Sequence, residues 1–263
     1  MNEIRFGVIG EAWEIIKANM APFIVAALIA MMVSMMVGYI GSFIAAGTMD
    51  LTNPPTELTP MLMQQLRATV ISTPFSLLGY ALSGPFLASM VHMAFKHMSG
   101  QKVEVADATW GVSRFVPFAL ATLLLYVMVT IGTYMCIIPG LIAGGLTLLV
   151  LPSMVVQGLA PFDALSFSFA KMSKFLVMGA ALFFVLGLVS YLGLLACCIG
   201  VLVTFPIAAV GSALVYRDLV GMGPVAESVP VSAPMESPAP AQESPAPPQE
   251  PEAPSDPEEP KAE

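Results

Sequence analysis

The stretches GPFLASMVHMAFK (residues 84–96), LPSMVVQGLAPFD (151–163) and FPIAAVGSALVYR (205–217) share one layout: a proline near the head of an apolar run that ends on a charged side chain. From Pro85 to Lys96, Pro152 to Asp163 and Pro206 to Arg217 the chain makes about three helical turns. Each run follows a hydrophobic span, and each span follows a short amphipathic segment. A unit repeated three times as entry segment, span and broken return predicts three helical hairpins in a membrane.

The residues around these runs fix the number of spans. Asp, Glu, Lys and Arg are absent from 18–49, 68–95, 115–162 and 175–216. About 20 apolar residues cross a bilayer core, so the first two windows hold one helix each and the last two hold two each. Composition agrees, with 57% hydrophobic and 11% charged residues and a mean hydropathy of +0.82, outside the range of soluble domains. The long windows divide at turn chemistry, Cys136-Ile-Ile-Pro139-Gly140 and Cys197-Cys-Ile-Gly200. The predicted spans are 21–46, 72–95, 116–137, 140–158, 175–197 and 200–217.

Charge gives these spans sides. Arg5, Lys17, Lys96, Lys102, Arg114, Lys171, Lys174 and Arg217 fall on one side, and only Arg67 lies in a short loop on the other. The positive-inside rule then puts both termini in the cytoplasm, and the expected location is a bacterial inner membrane. A cleaved signal peptide is the rival reading, but Glu3, Glu11 and Glu14 precede the first apolar run, unlike a basic leader. The net charge of −8 belongs to the C-terminus, because residues 1–218 carry equal numbers of acids and bases. ESPAPAQESPAPPQEPEAPSDPEEP (236–260) has too little apolar surface to fold. Three regions follow: a cytoplasmic interfacial helix over 1–20, a six-helix transmembrane domain over 21–219 and a disordered acidic Pro-rich tail over 220–263.

Before the odd-numbered spans stand Glu11-Ala-Trp-Glu-Ile-Ile-Lys17, Asp107-Ala-Thr-Trp-Gly-Val-Ser-Arg114 and Asp163-Ala-Leu-Ser-Phe-Ser-Phe-Ala-Lys171. Each opens on an acid, carries an aromatic and closes on a base, the order a helix dipole favours. Aromatic rings suit the headgroup zone, and Lys or Arg beside them can reach phosphates. These segments read as interfacial helices. Their charges act either as start and stop signals for the spans, as a lipid-headgroup site formed by Lys17, Arg114, Lys171 and Lys174, or as a partner-protein surface.

Pro85, Pro152 and Pro206 each remove a backbone donor inside a span, leaving the carbonyls of Ala81, Leu148 and Leu202 without their helical partner. Such kinks must face protein or a wet cavity. They either improve packing or frame a central cavity like those of transporters. Close helix approach is expected from small-residue ladders at Ser34, Gly38, Ser42 and Ala46, at Gly200, Thr204, Ala208 and Ser212, and at Gly140 and Gly144.

Chemistry-bearing constellations are sparse. The predicted spans hold no Asp, Glu, Lys or Arg, which argues against proton-coupled transport. His92 and His97 lie on different helix faces at the cytoplasmic end of the second span, and no metal spacing accompanies them. Cys136, Cys197 and Cys198 sit at outer turns, either as small apolar residues or with Cys136 bridged to one of the other two. Thr59-Pro60 reads as the start of a short helix in the outer loop 47–66. No cofactor, catalytic residue or nucleic-acid partner is expected.

Ile137-Ile-Pro-Gly140, Pro152, Ala164-Leu165 followed by Ser168, and Tyr216-Arg217-Asp218-Leu219 resemble a broad group of bacterial integral membrane proteins of unassigned function. That group is similar to the membrane domain attached to some glycerophosphodiester phosphodiesterases. The resemblance covers residues 84–219 and implies a six-helix module that assists other machinery. Phe169 stands where family members often have Trp, and no phosphodiesterase barrel is present, so no catalysis carries over. The expected function is a non-catalytic membrane protein organising lipids or a membrane-protein partner. The alternative is a transporter or channel for a small neutral or lipidic solute.

Overall fold

A computed structural model of the chain describes residues 7–48, 57–195 and 198–222, with the side chains at 191 and 194–199 left out. Among the described residues the secondary structure is helical, without strands. Six segments are long and apolar enough to cross a membrane, so the chain is an all-α, multi-pass membrane protein. The expected tail lies outside the described residues from 223 onward.

Helix α1 (Val8–Ala18) buries Val8, Ala12, Ile15 and Ile16, with Glu11 in its first turn and Lys17 in its last. That spacing of apolar positions is one face of an amphipathic helix. Asn19 leaves the helical region at φ −136° and separates α1 from α2 (Met20–Ala46). Its side chain closes the corner by donating to the Ile15 carbonyl and meeting His97 Nδ1 at 2.9 Å.

Helix α3 (Leu58–Met98) corrects the expected outer loop. It begins after the extended Glu57 and runs 41 residues without interruption, so Thr59 is not an N-cap and no separate short helix exists. Pro60 falls in the first turn, where a missing N–H removes no helical bond. At 1.5 Å per residue α3 is about 60 Å long, roughly twice the hydrocarbon thickness of a bilayer.

The second entry segment is a 3-10 helix, Val105–Arg114, closed by a reciprocal capping box between Glu104 and Asp107. It leads into α4 (Phe115–Met135). The predicted turn over 136–140 contracts to Cys136, because Ile137–Gly140 already form the first turn of α5 (Ile137–Leu146). The fourth span is not one kinked helix. It breaks at Thr147–Leu149 and resumes as α6 (Val150–Gln157), which ends on Gly158 at φ 68°. Only glycine reaches that left-handed conformation without strain.

Helix α7 (Pro161–Met172) and a 3-10 turn lead to α8 (Leu176–Leu195) and α9 (Cys198–Val220). Gly200 therefore lies inside a helix and not in the outer turn. Packing runs α3 to α4, α4 to α5, α5 to α8 and α8 to α9, and α9 returns to α3. Five spans form a closed ring, with α2 against α3 and α9.

Glycines allow the closest crossings in this ring. A Cβ on Gly84 of α3 would lie 2.6 Å from the Phe118 carbonyl of α4, and one on Gly145 of α5 would lie 2.5 Å from the Ala180 amide of α8. The expected ladder on α2 is corrected. Ser42 and Ala46 are exposed and Gly38 has open space, whereas Ala30, Val37, Gly41 and Ala45 are buried. Val37, Gly41 and Ala45 keep the same four-residue step but lie three positions on from Ser34, Gly38 and Ser42, about 60° around the helix, and that neighbouring stripe makes the contact. Gly140 and Gly144 do pack closely, against Thr133 and Phe183.

Candidate functional site

Two features lie within this frame, a charged rim and a cavity. The rim starts from the three entry segments, which each carry an aromatic and, four residues later, a cation. Lys17 Nζ lies 5.9 Å from the Trp13 ring centre, Arg114 Cζ 5.8 Å from Trp110 and Lys171 Nζ 5.8 Å from Phe167. Residues four apart are neighbours on a helix surface, and these distances are within cation–π range. The spacing is visible in the sequence, although only the order of acid, aromatic and base was read from it.

Two of the three acids of these segments join one hairpin to another. Asp107, opening the second hairpin, pairs with Lys96, closing the first, at 2.8 Å. Glu11, opening the first, pairs with Arg217, closing the third, and Arg217 also holds Asp218 at 2.7 Å. The second hairpin closes without a base. At its end Gln157 Nε2 donates to Tyr216 Oη at 2.6 Å.

Tyr216 is the hub of that end of the bundle. It is 1% exposed, packs edge-on to Phe95 at 5.7 Å and lies 6.3 Å from the Phe167 ring. His92 and His97 have different surroundings. His92 is buried and stacked on Trp110 at 4.1 Å, whereas His97 faces Asn19.

These pairings sort the predicted headgroup residues. Lys17 meets Glu14 at 3.0 Å in an exposed contact. Among the described residues, no carboxylate is paired with Arg114, Lys171 or Lys174. Lys171 and Lys174 share one entry segment, while Lys17 and Arg114 stand on the other two. The entry helices pack chiefly on spans, α1 on α9, the 3-10 helix on α3 and α2, and α7 on α6. The four cations therefore form a distributed rim rather than one cluster.

The cavity has a volume of about 630 Å³ and is lined by residues of α3, α4, α5, α6, α8 and α9. Its wall includes Tyr80, Tyr126, Leu148, Phe183, Gly187 and Ala208, and no charged side chain. Pro85, Pro152 and Pro206 do not line it; all three are buried in helix packing. Of the two readings of the kinks, this burial favours packing.

Two serines fasten the backbone beside Pro85 and at the break that precedes Pro152. Ser89 Oγ donates to the Pro85 carbonyl and accepts from the Gly111 amide, each at 2.9 Å, which fastens the 3-10 helix to α3. Ser168 Oγ donates to the Leu146 carbonyl at 2.6 Å and accepts from the Leu149 amide at 3.2 Å, bridging the break between α5 and α6. Backbone groups at the helix crossing and at the break are thereby satisfied by protein. The bridging role of neither serine is legible in the sequence, because the bonds to Gly111, Leu146 and Leu149 cross to other segments.

Cys136 is exposed, and the Cys197 and Cys198 side chains proposed to pair with it lie outside the described residues. Among the described residues, no three His, Cys, Asp or Glu side chains are grouped as metal ligands. No protein-family model, curated protein or solved structure matches this chain.

Proposed function

We propose that this is a non-catalytic membrane protein that organises lipid, binding anionic headgroups along the rim of its entry helices. The observation that carries the reading is the thrice-repeated aromatic–cation pair, with Arg114 and Lys171 lacking carboxylate partners among the described residues. An aromatic ring seats such a helix at headgroup depth, and an adjacent cation without a carboxylate meets phosphate. The excess of Lys and Arg on the entry side supports a cytoplasmic rim, both termini inside and an inner-membrane location in a bacterium.

The alternative, passage of a small neutral or lipidic solute, draws support from the cavity. The buried prolines weigh against a path built on the kinks. The likeness to the phosphodiesterase-attached membrane domain fits an accessory role and adds no chemistry.

The test is lipid retention. Protein carrying Lys171→Gln and Lys174→Gln, purified in mild detergent from native membranes, is expected to keep less phosphatidylglycerol per molecule than the wild type, by about twofold or more. Equal phosphatidylglycerol content in the two preparations would sink the reading.

A further inference from the structure

We infer that the cavity is a binding site for one long acyl chain, distinct from the headgroup rim. The inference deepens the lipid reading above and rests on it. The chemistry of the wall selects the occupant. Along α4 the lining runs from Thr122 to Tyr134, about 18 Å at the helical rise, a slot rather than a round pocket. Its volume of about 630 Å³ lies within the range of ligand sites.

The polar groups of the wall are mostly committed elsewhere. Thr122, Thr133, Thr147, Ser190 and Ser212 each donate their hydroxyl proton to a carbonyl of their own helix. What they present to the cavity is methyl and methylene surface with acceptor oxygens. An ion needs charge there and the wall has none; Tyr80, Tyr126, Thr130 and Tyr134 supply the other hydroxyls, on a wall otherwise of hydrocarbon and glycine. A hydrocarbon chain needs no charge.

Access and shape fit an elongated guest from the bilayer. Tyr80, Tyr134 and Gly187 line the cavity and are also exposed at the bundle surface. Tyr80 stacks on Tyr126 at 4.1 Å, a flat aromatic wall against which a chain can lie. At Gly187 a Cβ would meet nothing within 4 Å, unlike Gly144 on the facing wall, where it would strike Phe183. Gly187 thus leaves width in the slot where α8 passes it.

The test uses full-length protein in nanodiscs with two photoreactive probes that differ in source. One is a phosphatidylethanolamine bearing a diazirine on its acyl chain, and the other is the free diazirine fatty acid. The expected result is labelling of α4 between Thr122 and Tyr134 and of α8 between Phe183 and Ser190, competed by the unlabelled counterpart. The probe that labels identifies the source.

Gly187→Phe should reduce that labelling by about fivefold or more by occupying the slot. Gly187→Ser should retain it, and both variants should melt no lower than the wild type. Labelling confined to outward residues such as Phe43 and Val177, or undiminished in a folded Gly187→Phe protein, overturns the inference. The Lys171→Gln/Lys174→Gln protein separates the two proposals. Unchanged phosphatidylglycerol retention there with cavity labelling intact counts against the rim alone, whereas rim-dependent retention without cavity labelling counts against the chain site alone.

Discussion

Arg217, near the end of α9, pairs with Glu11 in α1, 206 positions away, with Nη2 to Oε2 at 3.0 Å. The contact joins the exit of the last hairpin to the entry of the first, and Lys96 with Asp107 makes the equivalent join between the first and second. Charged residues that look in sequence like flanking signals are thereby used to hold hairpins together at one end of the bundle. Arg114, Lys171 and Lys174 are left for other work.

Replacing Glu11 by Gln should lower stability by about 1 kcal/mol, since the Arg217–Glu11 pair is only partly buried. Arg217→Gln should cost more, because its contact with Asp218 is lost as well. In a double-mutant cycle read by thermal unfolding in detergent, the two changes should couple by about 1 kcal/mol. Strict additivity would show that the clasp contributes nothing.

Ser168→Ala removes both bonds across the break at Thr147–Leu149 and leaves a partly buried carbonyl and a buried amide. Each unsatisfied group costs about 1–3 kcal/mol, so the change should be among the most damaging single-atom deletions in the protein. Melting temperature and yield of folded protein report it. A variant as stable as the wild type would mean that the break is held by something else.

Gly111→Ala and Gly187→Ala should act in opposite directions. At Gly111 a Cβ would lie 2.0 Å from the Pro85 carbonyl oxygen, a backbone atom that cannot swing aside. Overpacking of this kind costs about 1–3 kcal/mol. At Gly187 there is open space, and Ala gains up to about 1 kcal/mol of helix propensity. Thermal shifts of the two proteins should differ in sign.

Tyr216→Phe keeps the ring that packs against Phe95 and removes only the acceptor of Gln157. A loss of about 1 kcal/mol is expected, and Gln157→Leu in the same background should add little. A large further loss in the double variant would place the role of Gln157 elsewhere.

Deleting residues 224–263 should leave the helical unit folded with an unchanged melting temperature, because that segment is rich in Pro and carboxylates and poor in apolar surface. Failure of the truncated chain to insert, seen by membrane fractionation, would contradict the boundary.

Sequence alone determined the number of spans, their order and the three entry segments, because apolar length, charge-free windows and positive charge are properties of consecutive residues. It also singled out Pro85, Pro152, Pro206, Lys17, Arg114, Lys171 and Lys174. Tertiary structure alone decided what these positions do. Helix faces are chosen by the shape of a neighbour, so the α2 contact face follows Ala30, Val37, Gly41 and Ala45 and not the stripe of Gly38, Ser42 and Ala46. Ser89 fastens the 3-10 helix to α3 and Ser168 bridges the break before α6, each through a bond to a segment distant in the chain. Lys96 and Arg217 join hairpins, and the cavity exists because five spans close a ring, through contacts between segments far apart in the chain.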